Sequence, residues 1–264
     1  MSERGRRDRI RGEGLSYTYL TRAGETLAIK NLTLAVRDGE FCSLVGPSGC
    51  GKSTLLGLIS GLLKPTEGQI LLDDAPIRGT NKRVGILLQK DHLFEWRTVL
   101  QNAELGLEIL GTGTAEARRQ AHKLLETYGL GGFESSYPYQ LSGGMRQRVA
   151  LIRTLATNPD VLLLDEPFSA LDYQTKLILE RDVHRIIREN RKTALLVTHD
   201  IEEAVSMSDR VVVLSGRPAQ VKNTYEIALT VAGERTPMNS RDAPEFRTYC
   251  KSIWEDLDIE RRTL

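Results

Sequence analysis

The stretch GPSGCGKS, at residues 46–53, decides the fold class of this chain. It follows an apolar segment from Phe41 to Val45 that predicts a strand, and it opens a segment from Thr54 to Ile59 that predicts a helix. Between a strand and a helix, the pattern G-x-x-x-x-G-K-[ST] predicts a loop that encloses phosphate groups. Glycines let successive N–H groups point inward, and the helix adds the positive end of its dipole. We therefore predict that the chain binds a nucleoside triphosphate.

Two side chains of this loop carry the predicted chemistry. Lys52 can reach the β- and γ-phosphate oxygens, and the Ser53 hydroxyl can ligate Mg²⁺. The residues predicted to contact ATP are Gly46, Pro47, Ser48, Gly49, Cys50, Gly51, Lys52, Ser53 and Thr54. The alternative is a glycine-rich turn with a chance lysine, which the flanking segments disfavour.

The composition is typical of a globular protein and argues against a general nucleic-acid binder. Of the 264 residues, 40% are hydrophobic and 27% are charged, and 36 Lys and Arg against 35 Asp and Glu give a net charge of +1. A nucleic-acid-binding domain normally has a strong basic excess. Cys42, Cys50 and Cys250 are odd in number and widely spaced, which fits a reducing compartment better than a disulfide framework.

The N-terminal segment, residues 1–13, is predicted to be a disordered basic tail. Its arginines are Arg4, Arg6, Arg7, Arg9 and Arg11. Contact of these arginines with an anionic membrane surface is the alternative. No apolar segment of secretory type follows them, and no run of about 18 apolar residues predicts a membrane-spanning helix.

Strand and helix patterns alternate along the chain and predict an α/β fold. Leu15–Tyr19 and Leu27–Val36 are expected to form antiparallel strands beside the nucleotide-binding core. Residues 90–158 interrupt the pattern with segments of helical periodicity. Residues 232–241 are predicted to be a loop, and residues 244–258 an amphipathic terminal helix that covers the edge of the sheet.

Four polar residues follow predicted strands, which is where ligands bind in open α/β sheets. Asp165 and Glu166 follow a continuous apolar run, so Asp165 can hold Mg²⁺ and Glu166 can deprotonate a water that attacks the γ-phosphate. Gln89 and His199 end two other strands. Taken alone, Gln89 could be a polar strand end and His199 a structural histidine.

Three other features have both a structural and a functional interpretation. Tyr19 could stack on adenine or pack on the sheet. The S-G-G sequence at residues 142–144 could be an ordinary helix cap or could bind an anion at the helix start. Phe94 and Trp96 could belong to the core or form an exposed docking patch for another protein.

Taken together, these motifs resemble the ATP-binding subunit of ABC transporters over residues 15–215. The phosphate loop, Gln89, LSGGMRQR, LLLDEP, SALD and VTHD occur in that order. The resemblance implies an α/β P-loop NTPase fold with a RecA-like parallel core sheet, an antiparallel β-layer and an inserted helical subdomain. It implies an ATPase domain at residues 14–232, its helical subdomain at about residues 90–158, and a C-terminal helical tail at residues 233–264.

The resemblance also implies an ATP-dependent homodimer. Two copies would sandwich two ATP molecules head to tail, so that Ser142, Gly143 and Gly144 of one copy cap the γ-phosphate bound by Lys52 of the other. Asp172 would lie at the seam between the copies. The helix that begins with the LSGGMRQR sequence, here called the signature helix, would then supply hydrogen-bond donors and the positive end of its dipole to the phosphate site of the other copy.

Further roles follow residue by residue from the same resemblance. Tyr19 would stack on adenine, His199 would contact the γ-phosphate, and Gln89 would link the metal site to the helical insertion. The implied Mg²⁺ site comprises Ser53, Gln89 and Asp165, and the implied catalytic residues are Glu166, His199 and Gln89. Phe94 and Trp96 would line a groove for a coupling helix of a membrane permease.

Longer segments resemble the nitrate, sulfonate and taurine importer group, among them LFEWRTVLQNAELGLE and TPMNSRDAPEFRTYCKSIWEDL. This resemblance implies permease subunits, an extracytoplasmic substrate-binding protein, a peripheral place on the cytoplasmic face of the inner membrane, and no nucleic-acid partner. The alternative is a non-transport ABC ATPase that acts on nucleic acid or ribosomes, which the single cassette and near-neutral charge disfavour. Glu166 and His199 argue against a binding-only cassette. Cys50 stands where the family has small residues, which predicts sensitivity to thiol reagents that ATP should block.

Overall fold

The computed structural model describes residues 7–22, 24–169 and 171–258. The chain forms two compact units, one comprising the residues up to Asn81 and from His184 onward, the other residues 82–183. The elements in chain order are β1 (Asp8–Thr21), β2 (Gly24–Arg37), β3 (Phe41–Val45), α1 (Lys52–Ile59), β4 (Glu67–Leu72), β5 (Ala75–Pro76), β6 (Val84–Leu87), α2 (Val99–Ile109), α3 (Ala115–Thr127), α4 (Gly143–Ala156), β7 (Val161–Asp165), α5 (Tyr173–Glu189), β8 (Thr193–Val197), α6 (Ile201–Met207), β9 (Arg210–Leu214), β10 (Val221–Glu226), α7 (Pro237–Arg241) and α8 (Phe246–Asp258).

An antiparallel sheet of order β2-β1-β4-β5 forms one layer of the first unit. Strands β1 and β2 are a long hairpin whose pairing runs from Asp8 opposite Arg37 to Thr21 opposite Gly24. Alternating residues of β2 are buried, as expected for a strand with one face on the core. The predicted antiparallel strands are confirmed and extend further than the sequence pattern indicated.

The prediction that the first 13 residues form a disordered tail is wrong for residues 8–13, because they belong to β1. The arginines pair with acidic residues after β4: Arg9 lies 2.6 Å from Asp73, and Arg11 and Arg7 lie 3.1 and 3.0 Å from Asp74. These pairs neutralise charge that would otherwise be available to an anionic surface. Residues 1–6, and with them Arg4 and Arg6, lie outside the described residues.

The core sheet of the first unit has the strand order β10-β9-β3-β8. Strand β3 pairs in parallel with both β8 and β9, with Leu44 opposite Val197 and Val45 opposite Val213. Every residue of these three strands is buried. Continuous apolar strands of this kind are typical of a parallel sheet covered on both faces, and the predicted buried strand before the phosphate loop is confirmed.

The C-terminal segment packs against this sheet. Phe246 and Ile253 of α8 join the buried cluster that contains Val211 and Val213 of β9. The hydroxyl of Tyr225 on β10 donates a hydrogen bond of 2.6 Å to Asp256. The predicted terminal helix is confirmed, and its covering role fits this packing.

The predicted loop at residues 232–241 contains a short helix, α7. Its N-cap is Thr236, whose hydroxyl accepts a hydrogen bond from the Asn239 amide, while the Asn239 side chain accepts one from the Thr236 amide. The sequence pattern missed this helix because the reciprocal residue is Asn rather than the Glu or Gln that marks a capping box.

The second unit contains a pair of parallel strands, β6 and β7, and the helices α2, α3 and α4. The strands pair from Val84 opposite Val161 to Leu87 opposite Leu164. Helix α2 begins at a capping box in which Thr98 and Gln101 exchange side-chain hydrogen bonds. These helices all fall within the predicted helical segment at residues 90–158. Within the described ranges, no helix is both long and apolar enough to cross a membrane.

His184 provides a test of the packing in the first unit. Its Nε2 accepts a hydrogen bond of 3.4 Å from Arg188 Nε, and its ring stacks on Phe41. Burial lowers the pKa of His184 to about 4, with a further contribution from the Arg188 charge. In the folded protein, His184 therefore stays neutral at pH values where the same histidine of the unfolded chain, with its ordinary pKa of about 6.5, binds a proton.

Because the unfolded state binds more protons between these two pKa values, stability should fall as pH falls from 7.5 to 5.0. We expect His184 to contribute about 2 kcal/mol to this loss. Urea unfolding at the two pH values should show a correspondingly smaller loss for His184→Gln. Equal losses in both proteins would contradict the buried neutral state of His184.

Candidate functional site

The phosphate loop in the first unit connects the end of β3 with the start of α1. Gly49 and Gly51 have φ values of +72° and +127°, which residues with a Cβ atom rarely adopt. A Cβ at Gly51 would also lie 3.0 Å from the carbonyl oxygen of Ala28 on β2. The glycines predicted to shape this loop are therefore required both for its conformation and for its close approach to β2.

The side chain of Lys52 is folded against the loop. Its Nζ donates hydrogen bonds of 2.8 and 3.0 Å to the carbonyl oxygens of Gly46 and Pro47, and the residue is only 6% exposed. A buried ammonium group needs such partners, and phosphate oxygens offer stronger acceptors than neutral carbonyls. Ser53 in the first turn of α1 is exposed. The loop therefore presents a fixed positive charge and an accessible hydroxyl.

Tyr19 on β1 contacts the helix that follows the loop. Its hydroxyl lies 3.1 Å from the Thr54 Oγ1, and its ring meets Tyr17 edge-on with 4.9 Å between centroids. The hydroxyl contact fixes the position of the ring relative to the first turn of α1. Stacking of this ring on adenine remains a prediction.

His199 follows β8 and is exposed beside the loop. A cavity of about 300 Å³ separates them, and its lining residues are Gly46, Pro47, Ser48, His199, Ile201, Trp254 and Leu257. The structure thus brings His199 and the phosphate loop together at one cavity. The sequence does not reveal that Trp254 and Leu257 line this cavity, because nothing in the pattern of the terminal helix shows which of its residues face the loop.

Gln89 and Glu166 meet in the second unit, where each follows a strand of the parallel pair. The Nε2 of Gln89 lies 3.5 Å from a Glu166 carboxylate oxygen and 3.3 Å from the Ser169 hydroxyl. The Ser169 hydroxyl donates to the Glu166 carbonyl oxygen at 3.0 Å. Two of the predicted catalytic residues are therefore adjacent, and Ser169 is a third member of the group that the sequence did not single out.

The backbone at Glu166 is strained. Its φ is +45°, although it is not a glycine, and such a conformation costs about 1–3 kcal/mol. Asp165 precedes it as the last residue of β7 and is half-buried. Strain of this kind persists where the surroundings impose it, and it is concentrated at functional sites. The observation is consistent with a functional role for the turn that carries Glu166.

The S-G-G sequence begins α4 as predicted. The Ser142 hydroxyl accepts a hydrogen bond of 3.3 Å from the Met145 amide, and Ser142 and Gly143 are exposed. Gly144 is buried, and a Cβ there would lie 2.3 Å from a methyl carbon of Thr175. The first of these glycines is thus open to a ligand, whereas the second is required for packing.

Asp172 precedes α5 and caps it. One carboxylate oxygen accepts a hydrogen bond of 3.0 Å from the Thr175 amide. Hydrogen bonds from the Thr175 side chain and backbone lower the pKa of Asp172. The residue is exposed, so its charge remains accessible to a partner.

Two arginines of the signature helix α4 hold the segment that follows Gln89. Arg146 lies 2.8 Å from Asp91 and 2.7 Å from Glu95, and Arg153 donates hydrogen bonds of 2.7 and 2.8 Å to the carbonyl oxygens of Asp91 and His92. Burial alone would raise the pKa of Asp91, but the hydrogen bonds from Arg146 and the backbone lower it. Arg146 belongs to the MRQR run at residues 145–148 and Arg153 follows that run, but only the fold reveals the partners of either arginine.

Phe94 and Trp96 form a stacked pair with 4.8 Å between ring centroids, and Trp96 is 73% exposed. Trp96 lines a cavity of about 380 Å³ whose other lining residues are Arg97, Gln101, Glu104, Leu107, Glu108, Gly113 and Arg118. Trp96 is therefore exposed and does not belong to the core, whereas Phe94 is half-buried. Docking of another protein on this pair stays a prediction.

Buried Asn102 on α2 fixes the backbone that carries this aromatic pair. Its Oδ1 accepts a hydrogen bond of 2.8 Å from the Phe94 amide, and its Nδ2 donates to the carbonyl oxygens of Phe94 and Arg97 at 3.1 and 3.0 Å. A fully satisfied buried amide stabilises one backbone conformation. The sequence does not reveal this role of Asn102, because its only signal is a polar residue on the buried face of a helix.

Comparison with known proteins identifies the family. Residues 29–169 match the family described as ABC transporter. The chain belongs to this family. The predicted P-loop NTPase fold is confirmed, and the protein is an ATPase of the ABC type that binds ATP.

Relatives cover nearly the whole of this ABC ATPase. It is 45% identical over 244 residues to the ABC transporter ATP-binding protein YtlC of Bacillus subtilis (strain 168). The aligned residues cover 92% of this chain and 94% of that protein. It is 42% identical over 244 residues to the nitrate import ATP-binding protein NrtD of Synechocystis sp., covering 90% and 91% of the two chains. The predicted resemblance to the importer group is confirmed at the level of sequence.

A solved structure supports the fold of the ABC ATPase. The ATP-binding cassette MJ0796, solved as a dimer in a post-hydrolysis state with ADP and Pi, is 33% identical with a TM-score of 0.73. The match covers 83% of this chain and 99% of that chain.

The cysteines of the ABC ATPase are less accessible than the sequence suggested. Cys50 in the phosphate loop is only 1% exposed, and this burial argues against the predicted sensitivity to thiol reagents. Burial raises the pKa of Cys42 to about 12 and that of Cys250 to about 11. The thiolate is the reactive form, so these two cysteines are also poorly disposed to react at neutral pH.

We expect the native ABC ATPase to react slowly with N-ethylmaleimide at pH 7.5. We choose a reaction time in which the urea-unfolded chain acquires a label on each of its three cysteines. In that time, the intact mass of the native protein should show fewer than about one label per chain. Rapid alkylation of Cys50 that ATP blocks would contradict the burial of this thiol and would support a reactive cysteine in the phosphate loop.

Proposed function

We propose that the protein is the ATP-hydrolysing motor subunit of an ABC importer. Its cycle of ATP-driven dimer closure and opening would drive uptake of a small anionic solute such as nitrate, a sulfonate or taurine. The observation that carries the ATPase part is the phosphate loop with Lys52 folded into it, together with the contact between Gln89 and Glu166. The 42% identity to a nitrate import protein supports the importer part.

In the proposed reaction, Lys52 and the loop amides bind the β- and γ-phosphates, and Glu166 deprotonates the attacking water. His199 contacts the γ-phosphate from its side of the cavity. The exposed Ser53 hydroxyl is a donor of the oxygen type that Mg²⁺ prefers. The ion would neutralise phosphate charge. That Asp165 and Gln89 act on the same ion remains a prediction from the sequence.

We also propose that two copies close on ATP. The N-terminus of α4 presents exposed Ser142 and Gly143, and Asp172 is exposed as well. The start of α4 is suited to contact a γ-phosphate bound by a second copy, and Asp172 is suited to the interface between the two copies. The dimeric state of the related cassette MJ0796 supports this arrangement. The ATPase domain would extend from Asp8, the first residue of β1, rather than from the predicted residue 14, to residue 232. The helical subdomain would lie at residues 90–158 and the tail at residues 233–264.

Glu166→Gln is expected to keep ATP binding and to lower turnover by roughly 10²–10⁴-fold, because the general base is lost while the side-chain shape is retained. Slow hydrolysis should also let the ATP-bound dimer accumulate, as measured by light scattering. Unchanged turnover would remove Glu166 from the role of base.

A second substitution tests the dimer in the same background. Ser142→Arg places a long side chain at the proposed trans phosphate site, so we expect the Glu166→Gln, Ser142→Arg variant to bind ATP but to stay monomeric. A dimer with ATP in this variant would contradict the sandwich.

We propose that the cavity beside Trp96 receives a cytoplasmic helix of an integral-membrane permease. The stacked Phe94–Trp96 pair exposes an apolar ring next to charged residues, among them the ion pair of Arg97 with Glu108 at 2.5 Å. An exposed aromatic anchor with a polar rim is typical of a docking site. Such docking would hold the protein on the cytoplasmic face of the inner membrane, and the permease would link it to an extracytoplasmic substrate-binding protein.

The importer proposal is tested by co-purification. Tagged Glu166→Gln is recovered from detergent-solubilised membranes with ATP, and bound proteins are identified by mass spectrometry. We expect a permease of several membrane spans. Trp96→Ala in this background should reduce its recovery about tenfold or more, the scale of a lost interface anchor.

Tyr139→Ala is the matched control, because Tyr139 is also an exposed aromatic ring stacked on a neighbour, Tyr137, in the same unit. It should leave recovery of the permease unchanged. Recovery of ribosomes or nucleic acid without a membrane protein would favour the alternative, a non-transport ABC ATPase. Equal losses with both variants would remove Trp96 as the specific docking residue.

A further inference from the structure

Arg217 contacts the phosphate loop from a distant part of the sequence. Its Nε and Nη2 both donate hydrogen bonds to the carbonyl oxygen of Gly49, at 3.2 and 2.9 Å. The side chain is otherwise exposed. A charged, two-pronged donor is thus directed at a single backbone carbonyl in the middle of the loop.

The segment that carries Arg217 is rigidly attached. The Ser215 amide donates to the Gln220 carbonyl oxygen at 2.9 Å, and the Gln220 amide donates to the Ser215 hydroxyl at 3.0 Å. Ala219 is fully buried and exchanges backbone hydrogen bonds of 2.9 and 3.2 Å with Ala28 and Lys30 of β2. Arg217 therefore extends from a turn that is closed on itself and joined to the neighbouring sheet.

The phosphate loop rests on the same turn at a second point. A Cβ added to Gly51 would lie 3.3 Å from the Cβ of Ala219 and 3.0 Å from the Ala28 carbonyl oxygen. The turn thus supports the loop beneath Gly51 and holds it by the carbonyl of Gly49. These two contacts are independent observations of one supporting surface.

The orientation of the peptide between Gly49 and Cys50 follows from the contact with Arg217. In a trans peptide the carbonyl oxygen and the next N–H point in opposite directions. With the Gly49 oxygen held by Arg217, the Cys50 N–H points the other way, toward the Pro47 carbonyl oxygen at 3.3 Å. Lys52 Nζ reaches that same Pro47 oxygen at 3.0 Å, so both donors lie on the inner side of the loop.

Hydrogen bonds rather than steric limits hold this peptide, through the Gly49 oxygen on one side and the Cys50 N–H on the other. Gly49 has a φ of +72° and no Cβ, so the steric barrier that limits other residues is absent. A rotated peptide would direct the Gly49 oxygen, a partial negative charge, toward the inner side of the loop and remove one donor. Both changes oppose the binding of phosphate.

We propose that Arg217 is a positioning residue that holds the Gly49–Cys50 peptide in the orientation that binds phosphate. It acts through the loop backbone rather than on the nucleotide itself. The proposal rests on nucleotide binding by the phosphate loop, and it is independent of whether the protein serves an importer.

The test compares Arg217→Met with Arg247→Ala, which removes an exposed arginine of α8 that forms no hydrogen bond or ion pair with the residues described by the structure. We expect Arg217→Met to weaken ADP binding about tenfold in calorimetry, the scale of a hydrogen bond to a charged group. The ATPase KM should rise in proportion while kcat changes less than about twofold, because binding rather than chemistry is affected. Arg217→Lys, which keeps the charge but not the two-pronged donor, should bind ADP with intermediate affinity.

Hydrogen–deuterium exchange of residues 46–52 in the nucleotide-free protein separates positioning from direct contact. The amides of this segment should exchange faster in Arg217→Met than in the unmodified protein. The thermal unfolding midpoint of the variant should stay within about 2 °C of that of the unmodified protein, because the substitution is at the surface. Unchanged exchange combined with weaker ADP binding would overturn the proposal and make Arg217 a direct phosphate ligand.

Affinity for ADP within twofold of that of the unmodified protein would also overturn it, as would full restoration of affinity by Arg217→Lys. Absence of ADP binding in the unmodified protein is a different result, because it would refute the nucleotide site and not only the role of Arg217. The Arg247→Ala control should match the unmodified protein in every measurement.

Discussion

The parallel pairing of β3 with β8 and β9 is the constraint on which the site in the first unit depends. Leu44 lies opposite Val197 and Val45 opposite Val213, so the three strands end at one edge of the sheet. The phosphate loop, His199 and Arg217 follow these ends closely in sequence. Backbone hydrogen bonds between buried strands therefore bring together residues that are far apart in the chain. The apolar burial of these strands is what stabilises that edge.

The loop at this edge must be both open and ordered. Glycine allows the required backbone but gives it wide conformational freedom, which opposes a fixed binding geometry. The structure restricts that freedom from several sides: Lys52 bonds to carbonyl oxygens of the loop, β2 limits the space at Gly51, and Arg217 holds Gly49. A loop held in this way binds phosphate without first having to be ordered.

The second unit organises its polar groups along one short segment. Gln89, at its start, contacts Glu166; Asp91 and Glu95 are held by Arg146 of the signature helix; and Trp96 lies at the exposed end. The candidate base, helix α4 and the cavity beside Trp96 thus lie along one segment that ion pairs and hydrogen bonds hold in place. The segment from Gln89 to Trp96 is therefore held at several points by side chains of the same unit.

The sequence by itself determined the phosphate loop, the buried strands, most helices and the family, because these depend on spacing, periodicity and local backbone chemistry. It also placed Glu166 and His199 at strand ends. The sequence pattern did not predict the strand at residues 8–13, because the arginines there suggested a tail and their acidic partners follow β4, far along the chain. It did not predict α7 either, because Asn239 completes the helix cap in place of Glu or Gln. Only the tertiary structure decided that Arg217 holds Gly49, 168 positions away, and that Trp254 lines the cavity beside His199. Contacts between side chains so distant in sequence leave no periodic pattern, since they exist only after the sheet has aligned its strands.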